Sequence, residues 1–332
     1  MPSAVPVALW LIYSRVLAFL VVYPSVARGP LAALPRHGAG RRDLTLLFYD
    51  TAPLELVPHA LAETGTGDEP PVQVYLDVDA SLRVGLGLVT VHLGTRRSPL
   101  HGARDVASLA ARVVSTPGLA LRGLMFYEAQ VAGMPDSSLA VRAVKRLSVL
   151  ELGERRGEVV AAVRDVVGHG LELVNSGGTG SLETSSADAV VTEVTAGSGL
   201  YVPGLFDEYR AFRPRPSAFF GLDVVRVPGP GWATAFGGGY VASGPATRSR
   251  LPRVVTPGWS LTGREGAGEV QTPLHRSRGA AGAPDLGVGD RVWFRHGKAG
   301  EAMERFDRVH LVRGDEVVDV VPTYRGEGKS FG

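Results

Sequence analysis

Leu171–Ser181, LELVNSGGTGS, is an apolar run of strand type that ends in two glycines, a threonine, a third glycine and a serine. The arrangement returns a few residues later. Ala189–Val194 is strand-like, and Thr195-Ala196-Gly197-Ser198-Gly199-Leu200-Tyr201 breaks it. Glycine lets backbone N–H groups approach an anion closely, and Thr or Ser adds a hydroxyl donor. Two such breaks at the C-terminal ends of neighbouring strands suit a phosphate-bearing ligand in a β/α barrel. The same residues also read as two glycine-rich βα turns that bind nothing.

Upstream, Leu44–Tyr49 (LTLLFY), Val72–Asp79 (VQVYLDVD) and Leu119–Tyr127 (LALRGLMFY) are apolar runs suited to strands covered on both faces. Helical segments alternate with them. Pro53–Glu63 is weakly helical and interrupted by Pro58. Val106, Leu109, Ala110 and Val113 fall at helical spacing behind a cap expected at Asp105, and Pro117-Gly118 stops that helix. Ser137 or Ser138 opens a long helical region reaching about Val167, loosened by Gly153 and Gly157. To about Pro203 this rhythm predicts a parallel α/β sheet or barrel. Past Gly204 prolines and glycines crowd in, helical periodicity fades, and short β-type pieces appear at Leu222–Val227, Val288–Arg295, Val309–Val312 and Val317–Val321. Residues 204–332 therefore read as a second, antiparallel β domain after a first domain of residues 1–203.

At the start, Val5–Tyr23 is apolar and nearly long enough to cross a bilayer. Arg15 at its centre would cost about 2.5–3.5 kcal/mol there. The segment reads as a buried helix, Val5–Ile12, and a buried strand, Leu17–Tyr23, with a membrane anchor as the alternative; Ala27–Leu34 reads as a short helix. The hydrophobic fraction of 45% and charged fraction of 20% are those of a globular chain. Net charge is only +2 and the arginines are interleaved with acids, which argues against a nucleic-acid partner. The absence of cysteine removes disulfides, thiolate metal sites and cysteine nucleophiles, and fits a reducing, cytoplasmic setting.

Several groups carry possible chemistry. Asp77 and Asp79 lie two apart on a strand and share a face, with Arg83 four residues on. They offer an acid and a guanidinium beside a pocket, or equally an Asp-capped turn with Arg83 paired to it. Tyr127, Glu128 and Gln130 sit where a strand meets its loop, where a phenol, a carboxylate and an amide can orient a substrate or relay a proton. The histidines lack the spacing of a zinc site, and no G-x-S-x-G or Walker-type loop occurs.

In order, YLDVDASLRVG, LRGLMFYEAQVAG, NSGGTGS, TEVTAGSGLY and a β domain with GEVQTPL and GDRVWFRHGKAGE resemble the pyridoxal-phosphate enzymes with the alanine-racemase type of barrel. Within them the chain is most similar to the D-threonine aldolase and D-serine dehydratase branch, which includes bacterial amino acid deaminase/aldolases. The likeness runs from about Pro6 to Phe331. It implies a (β/α)8 TIM-type barrel lacking its first strands, followed by a C-terminal antiparallel β domain. It implies a lyase of D- or β-hydroxy amino acids, a small amino acid as substrate and a homodimer. The phosphate of the cofactor would sit on Gly178, Thr179 and Gly180 and on Ser198, Gly199 and Tyr201, with Arg83 also at the cofactor and Tyr127 and Gln130 as catalytic candidates. Thr195 stands where racemase relatives place an arginine. A divalent metal, Zn or Mn, would take His296; Lys298 stands at the second ligand position, with Glu301 as a substitute. The family's Schiff-base lysine lies in a Lys-Ser motif on the first barrel strand. PVALWL resembles the helix after the family's second strand, which leaves six barrel strands here and an N-terminally truncated barrel. None of Lys145, Lys298 and Lys329 matches that lysine, so the chain is expected to be inactive as written. The rival expectation is a non-catalytic protein that binds the cofactor or an amino acid.

Overall fold

A computed structural model describes residues 20–22, 44–62, 70–86, 89–213, 215–245, 247–280, 282–298 and 300–329. The readings of Val5–Ile12 and Ala27–Leu34 lie outside them. The described residues fall into two compact units, one made of those up to Met134 with Ser138–Thr195, and one of Pro135–Ser137 with those from Ala196 onward.

The first unit is built on six parallel strands: β1 (Leu20–Val22), β2 (Leu44–Phe48), β3 (Val72–Val78), β6 (Leu119–Phe126), β7 (Leu173–Ser176) and β8 (Glu193–Val194), neighbours in that order. Every residue of β2 is buried, as expected of a strand with cover on both faces. Leu46, Val74, Leu76, Leu124, Phe126 and Val174 join Val106, Leu109, Ala110 and Val113 of helix α2 (Ala103–Ser115) in one core. Each such side chain contributes about 1.5–3 kcal/mol by leaving water. Before them, α1 (Ala52–Ala62) runs straight through Pro58. The cap of α2 is Gly102, not Asp105; the aspartate lies in the first turn, where its charge favours the helix N-terminus.

The segment after Asp79, read as a turn or pocket edge, has the Asp79-capped turn and then continues into an unforeseen antiparallel hairpin of β4 (Leu82–Leu86) and β5 (Val89–Leu93). Its period-two pattern, Leu82-Val84-Leu86 and Val89-Val91-Leu93, is a strand signal hidden behind the aspartates. The long helix is not loosened by its glycines. After the short helix α3 (Ala129–Ala132), α4 (Leu139–Val167) is one continuous helix of 29 residues. Ser138 caps it, its Oγ accepting from the Val141 N–H at 3.2 Å, and Gly168 ends it at φ +74°. Burial of Leu152, Val159, Val160 and Val163 outweighs the roughly 1 kcal/mol that each interior glycine costs.

The second unit carries a six-stranded antiparallel sheet in the order β11 (Arg253–Val254), β14 (Arg291–Arg295), β9 (Phe220–Arg226), β10 (Trp232–Phe236), β13 (Gln271–Arg276) and β12 (Trp259–Leu261). The end strands β11 and β12 lie beside each other, so the sheet is nearly a barrel. Alternate residues Phe220, Leu222 and Val224 enter its core with Leu274, Val292 and Phe294. A separate hairpin joins β15 (Arg308–Arg313) to β16 (Glu316–Pro322). Among the described residues no helix is long and apolar enough to cross a membrane.

Candidate active site

Parallel strands bring unlike side chains to one rim at their C-terminal ends, where α/β sheets bind ligands. Asp77 and Asp79 at the end of β3, Met125 and Tyr127 at the end of β6, and Leu47 of β2 line a small hollow of about 40 Å³ with Thr95, Arg97 and Ser98. That space suits one water. Arg97 lies over the Tyr127 ring, its Cζ 5.4 Å from the centroid.

The two aspartates are pushed in opposite directions. Burial raises the Asp77 carboxyl to about 6; Arg97 pulls it down and Asp79 pushes it up. Burial would raise Asp79 also, but hydrogen bonds from Ser81 and Arg83 outweigh it and hold that carboxyl below its ordinary value. Ser81 donates its N–H to Oδ1 at 2.9 Å and its Oγ–H to Oδ2 at 2.8 Å, an Asx turn. Arg83 donates Nη2–H to Oδ2 at 2.6 Å. Arg155 of α4 braces the same turn from behind, giving Nη1–H to the Asp79 carbonyl at 2.7 Å and Nη2–H to the Ser81 carbonyl at 3.1 Å.

Gln130, on α3, donates Nε2–H to the Ala80 carbonyl at 2.7 Å, while its buried Oε1 has no partner among the described residues. Gly94, at φ +144°, makes this approach possible. A Cβ there would stand 2.5 Å from the Ser81 Cβ and 2.9 Å from Gln130 Oε1.

The glycine loop after β7 is ordered from inside by Glu128, which is buried. Ser181 and Ser185 donate their hydroxyls to its Oε1 at 2.6 and 2.8 Å. Ser176 Oγ and the Gly177 N–H donate to Oε2 at 3.1 and 3.3 Å. Arg156, the neighbour of Arg155 on α4, donates Nη2–H to Ser176 Oγ at 2.9 Å and pairs with Asp188. Thr179, Gly180 and Ser181 form a buried 3₁₀ turn. Gly178 faces Tyr127: a Cβ there would meet the Ala132 Cβ at 2.8 Å and Tyr127 Cε2 at 3.4 Å. Tyr127, Gln130, Arg83 and the Gly178–Gly180 loop thus belong to one rim of the first unit.

Ser198, Gly199 and Tyr201 belong to the second unit, where Ser198–Leu200 is a 3₁₀ turn. The Tyr201 ring meets the His296 ring edge-on at 6.2 Å. His296, expected to bind a divalent metal, is buried at the end of β14, and burial followed by Arg295 lowers its pKa. The metal expectation finds no support in the donor set. Among the described residues no three His, Asp or Glu side chains converge as a donor set. Lys298 gives its ammonium to Ser243 Oγ at 3.1 Å, and Glu301 accepts the Ser243 N–H at 3.0 Å.

Sequence reasoning did not assign roles to Arg155, Arg156, Ser176, Ser181 and Arg97. The adjacent arginines of GERRG gave no such signal, because neighbouring helix positions about 100° apart can both lie on a solvated face.

A parallel β/α sheet with a glycine loop and paired carboxylates at its C-terminal rim, followed by an antiparallel near-barrel, defines a fold of the alanine-racemase type. Solved structures share it. D-threonine aldolase from Filomicrobium marinum matches at a TM-score of 0.77 and 18% identity, over 98% of this chain and 80% of its own. D-threo-3-hydroxyaspartate dehydratase from Delftia sp. HT23 matches at 0.64 and 18%, over 95% and 81%. Alanine racemase from Bacillus anthracis matches at 0.56 and 16%, over 96% and 82%. No protein-family model and no curated protein matches the chain.

Proposed function

We propose that this chain has the scaffold of a pyridoxal-phosphate lyase of the D-threonine aldolase and D-serine dehydratase type, acting on D- or β-hydroxy amino acids. The observation that carries the reading is the close approach of Gly178 to Tyr127, whose ring a Cβ on Gly178 would meet at 3.4 Å, at the rim where Asp77 and Gln130 also end. The fit to the cofactor is uneven. Gly178–Gly180 offers close backbone approach for a phosphate, and Arg83 and the unpartnered Oε1 of Gln130 offer polar contacts. The hollow of about 40 Å³ has no room for a pyridine ring with Arg97 over Tyr127, so binding requires that guanidinium to move.

When bound, pyridoxal phosphate supplies an electron sink for cleavage at the substrate Cα or Cβ. The chain's own residues have narrower tasks. Tyr127 carries a proton at its phenol, and Gln130 Oε1 accepts a hydrogen bond from a substrate hydroxyl or amine. A small amino acid as substrate and a homodimer as assembly belong to the same reading.

Covalent attachment is where the fit fails. Of the three lysines, Lys145 gives its ammonium to the Met134 carbonyl at 3.1 Å, Lys298 reaches Ser243, and Lys329 follows β16 in the second unit, its N–H bonded to the Tyr324 carbonyl at 2.9 Å. The 332-residue chain is therefore proposed to hold the cofactor reversibly and without turnover. The observation favouring a non-catalytic binder is the engagement of Ser176, Gly177 and Ser181 by Glu128.

Cofactor titration followed by borohydride reduction and peptide mass mapping tests this. The expected result is dialysable binding, lost in Gly178→Val, with no lysine modified. Failure to bind at millimolar cofactor would sink the cofactor assignment. Release of glycine and acetaldehyde from D-threonine would sink the claim of no turnover.

A further inference from the structure

The hairpin β4–β5 is two-faced. Arg83 and His92 are direct cross-strand partners, and Gly85 pairs with Thr90 one step along the same face. Val84 and Val91 pair on the other face. The polar face is open to solvent at Arg83 and Thr90. With Arg96, Arg97, Ser98 and Pro99 from the irregular segment after β5, it lines a basin of about 470 Å³. Its lining holds three guanidinium groups, an imidazole and two hydroxyls, and no carboxylate.

The donors are also held in place. His92 Nε2–H donates to the Thr95 carbonyl at 2.9 Å, which fixes the ring and the turn that carries Arg96 and Arg97. Arg83 uses only Nη2 on Asp79, and Arg97 rests on the Tyr127 ring. Arg97 and Ser98 line both this basin and the small hollow at the strand ends. A concave surface with three arginines, of which Arg83 is paired with Asp79 from behind, concentrates anions, and a guanidinium can bind a carboxylate or phosphate through two parallel hydrogen bonds.

We propose that this basin is a binding site for a small doubly charged oxyanion, with its charge shared among Arg83, Arg96 and Arg97. It shares Arg83 and Arg97 with the lyase reading but requires neither pyridoxal phosphate nor turnover, and Arg96, which that reading does not use, tells the two apart. The two sources of that chemistry are a dicarboxylate and a phosphate group.

Isothermal titration of the full chain with malonate, inorganic phosphate and acetate at low ionic strength tests the site. At least one dianion is expected to bind ten-fold or more tightly than acetate. Which dianion binds more tightly identifies the source. Arg96→Gln and Arg97→Gln, each checked for unchanged thermal unfolding, should each weaken that dianion at least ten-fold. Arg112→Gln on the exposed side of α2 should leave it unchanged, and 0.5 M chloride should weaken it. Because Arg96 is exposed, its variant separates loss of binding from loss of folding. Absence of dianion binding, equal binding of acetate, or retention of affinity in both variants would overturn the proposal.

Discussion

The turns that follow β3 and β7 are built on one plan and finished differently. Each has a buried carboxylate at its centre, Asp79 in one and Glu128 in the other, and each is braced by one of two adjacent arginines of α4. After β7 the carboxylate is enclosed: three serine hydroxyls and a backbone N–H meet its two oxygens. After β3 the carboxylate accepts from Ser81 and from Arg83, which also reaches out to the basin, and lies beside Asp77, which has no comparable set among the described residues. The difference is between a loop whose polar groups are matched internally and one that leaves charge at the rim. Matched groups rigidify; unmatched ones titrate and bind.

The largest expected effect is at the enclosed turn. Glu128→Ala leaves three hydroxyls and the Gly177 N–H buried without their acceptor, and should cost about 3 kcal/mol in urea unfolding. A cost below about 1 kcal/mol would mean that water replaces the carboxylate, and the contrast between the turns would break.

At the open turn the expected effect depends on pH. Asp77 has an unfolded value of 3.8 and a folded value of about 6, so the folded chain holds its proton more tightly. Its contribution is fully favourable below pH 3.8, is lost as pH rises to about 6, and stays lost above. A shift of roughly 2 pH units corresponds to about 3 kcal/mol. Asp77→Asn should therefore gain about 2–3 kcal/mol at pH 7.5 and nothing at pH 3.5. Equal gains at both values would show that packing, not ionisation, is responsible.

How far these turns were legible in sequence follows from the range of the forces involved. The strands leading into them were readable because burial on both faces leaves unbroken apolar runs such as Leu44–Phe48. Strand ends and glycine loops were readable for the same local reason. The wiring behind them was not, since Glu128 meets Ser176 and Ser185 across 48 and 57 residues, and Arg155 meets Asp79 across 76. A polar run such as GERRGE on a helix reads as a solvated face unless the sheet beneath it is known. The hairpin was a different kind of miss, because its alternation is local and was overshadowed by the aspartates just before it. Of the site, Asp79 with Arg83 was readable as a capped turn with a paired arginine, and the structure has that turn. Both Arg97 over Tyr127 and the basin depend on the hairpin being there.

The smallest effect sharpens the comparison most. Arg83 is about one-third exposed, and an exposed ion pair stabilises by under about 1 kcal/mol once solvent screens it. Arg83→Gln should thus barely change stability at pH 7, unlike Glu128→Ala. It should still raise the titration of Asp79, because one of the donors that outweigh burial has gone. Asp79 stabilises the fold above its unfolded value and loses that contribution as pH falls through its depressed folded value. In the variant that loss should begin at a higher pH, which NMR of the Asp79 side-chain carboxyl would follow directly. An unmoved Asp79 would assign its low value to Ser81 alone and make Arg83 free for a ligand. A stability loss of several kcal/mol would place Arg83 with the enclosed network and remove it from the rim.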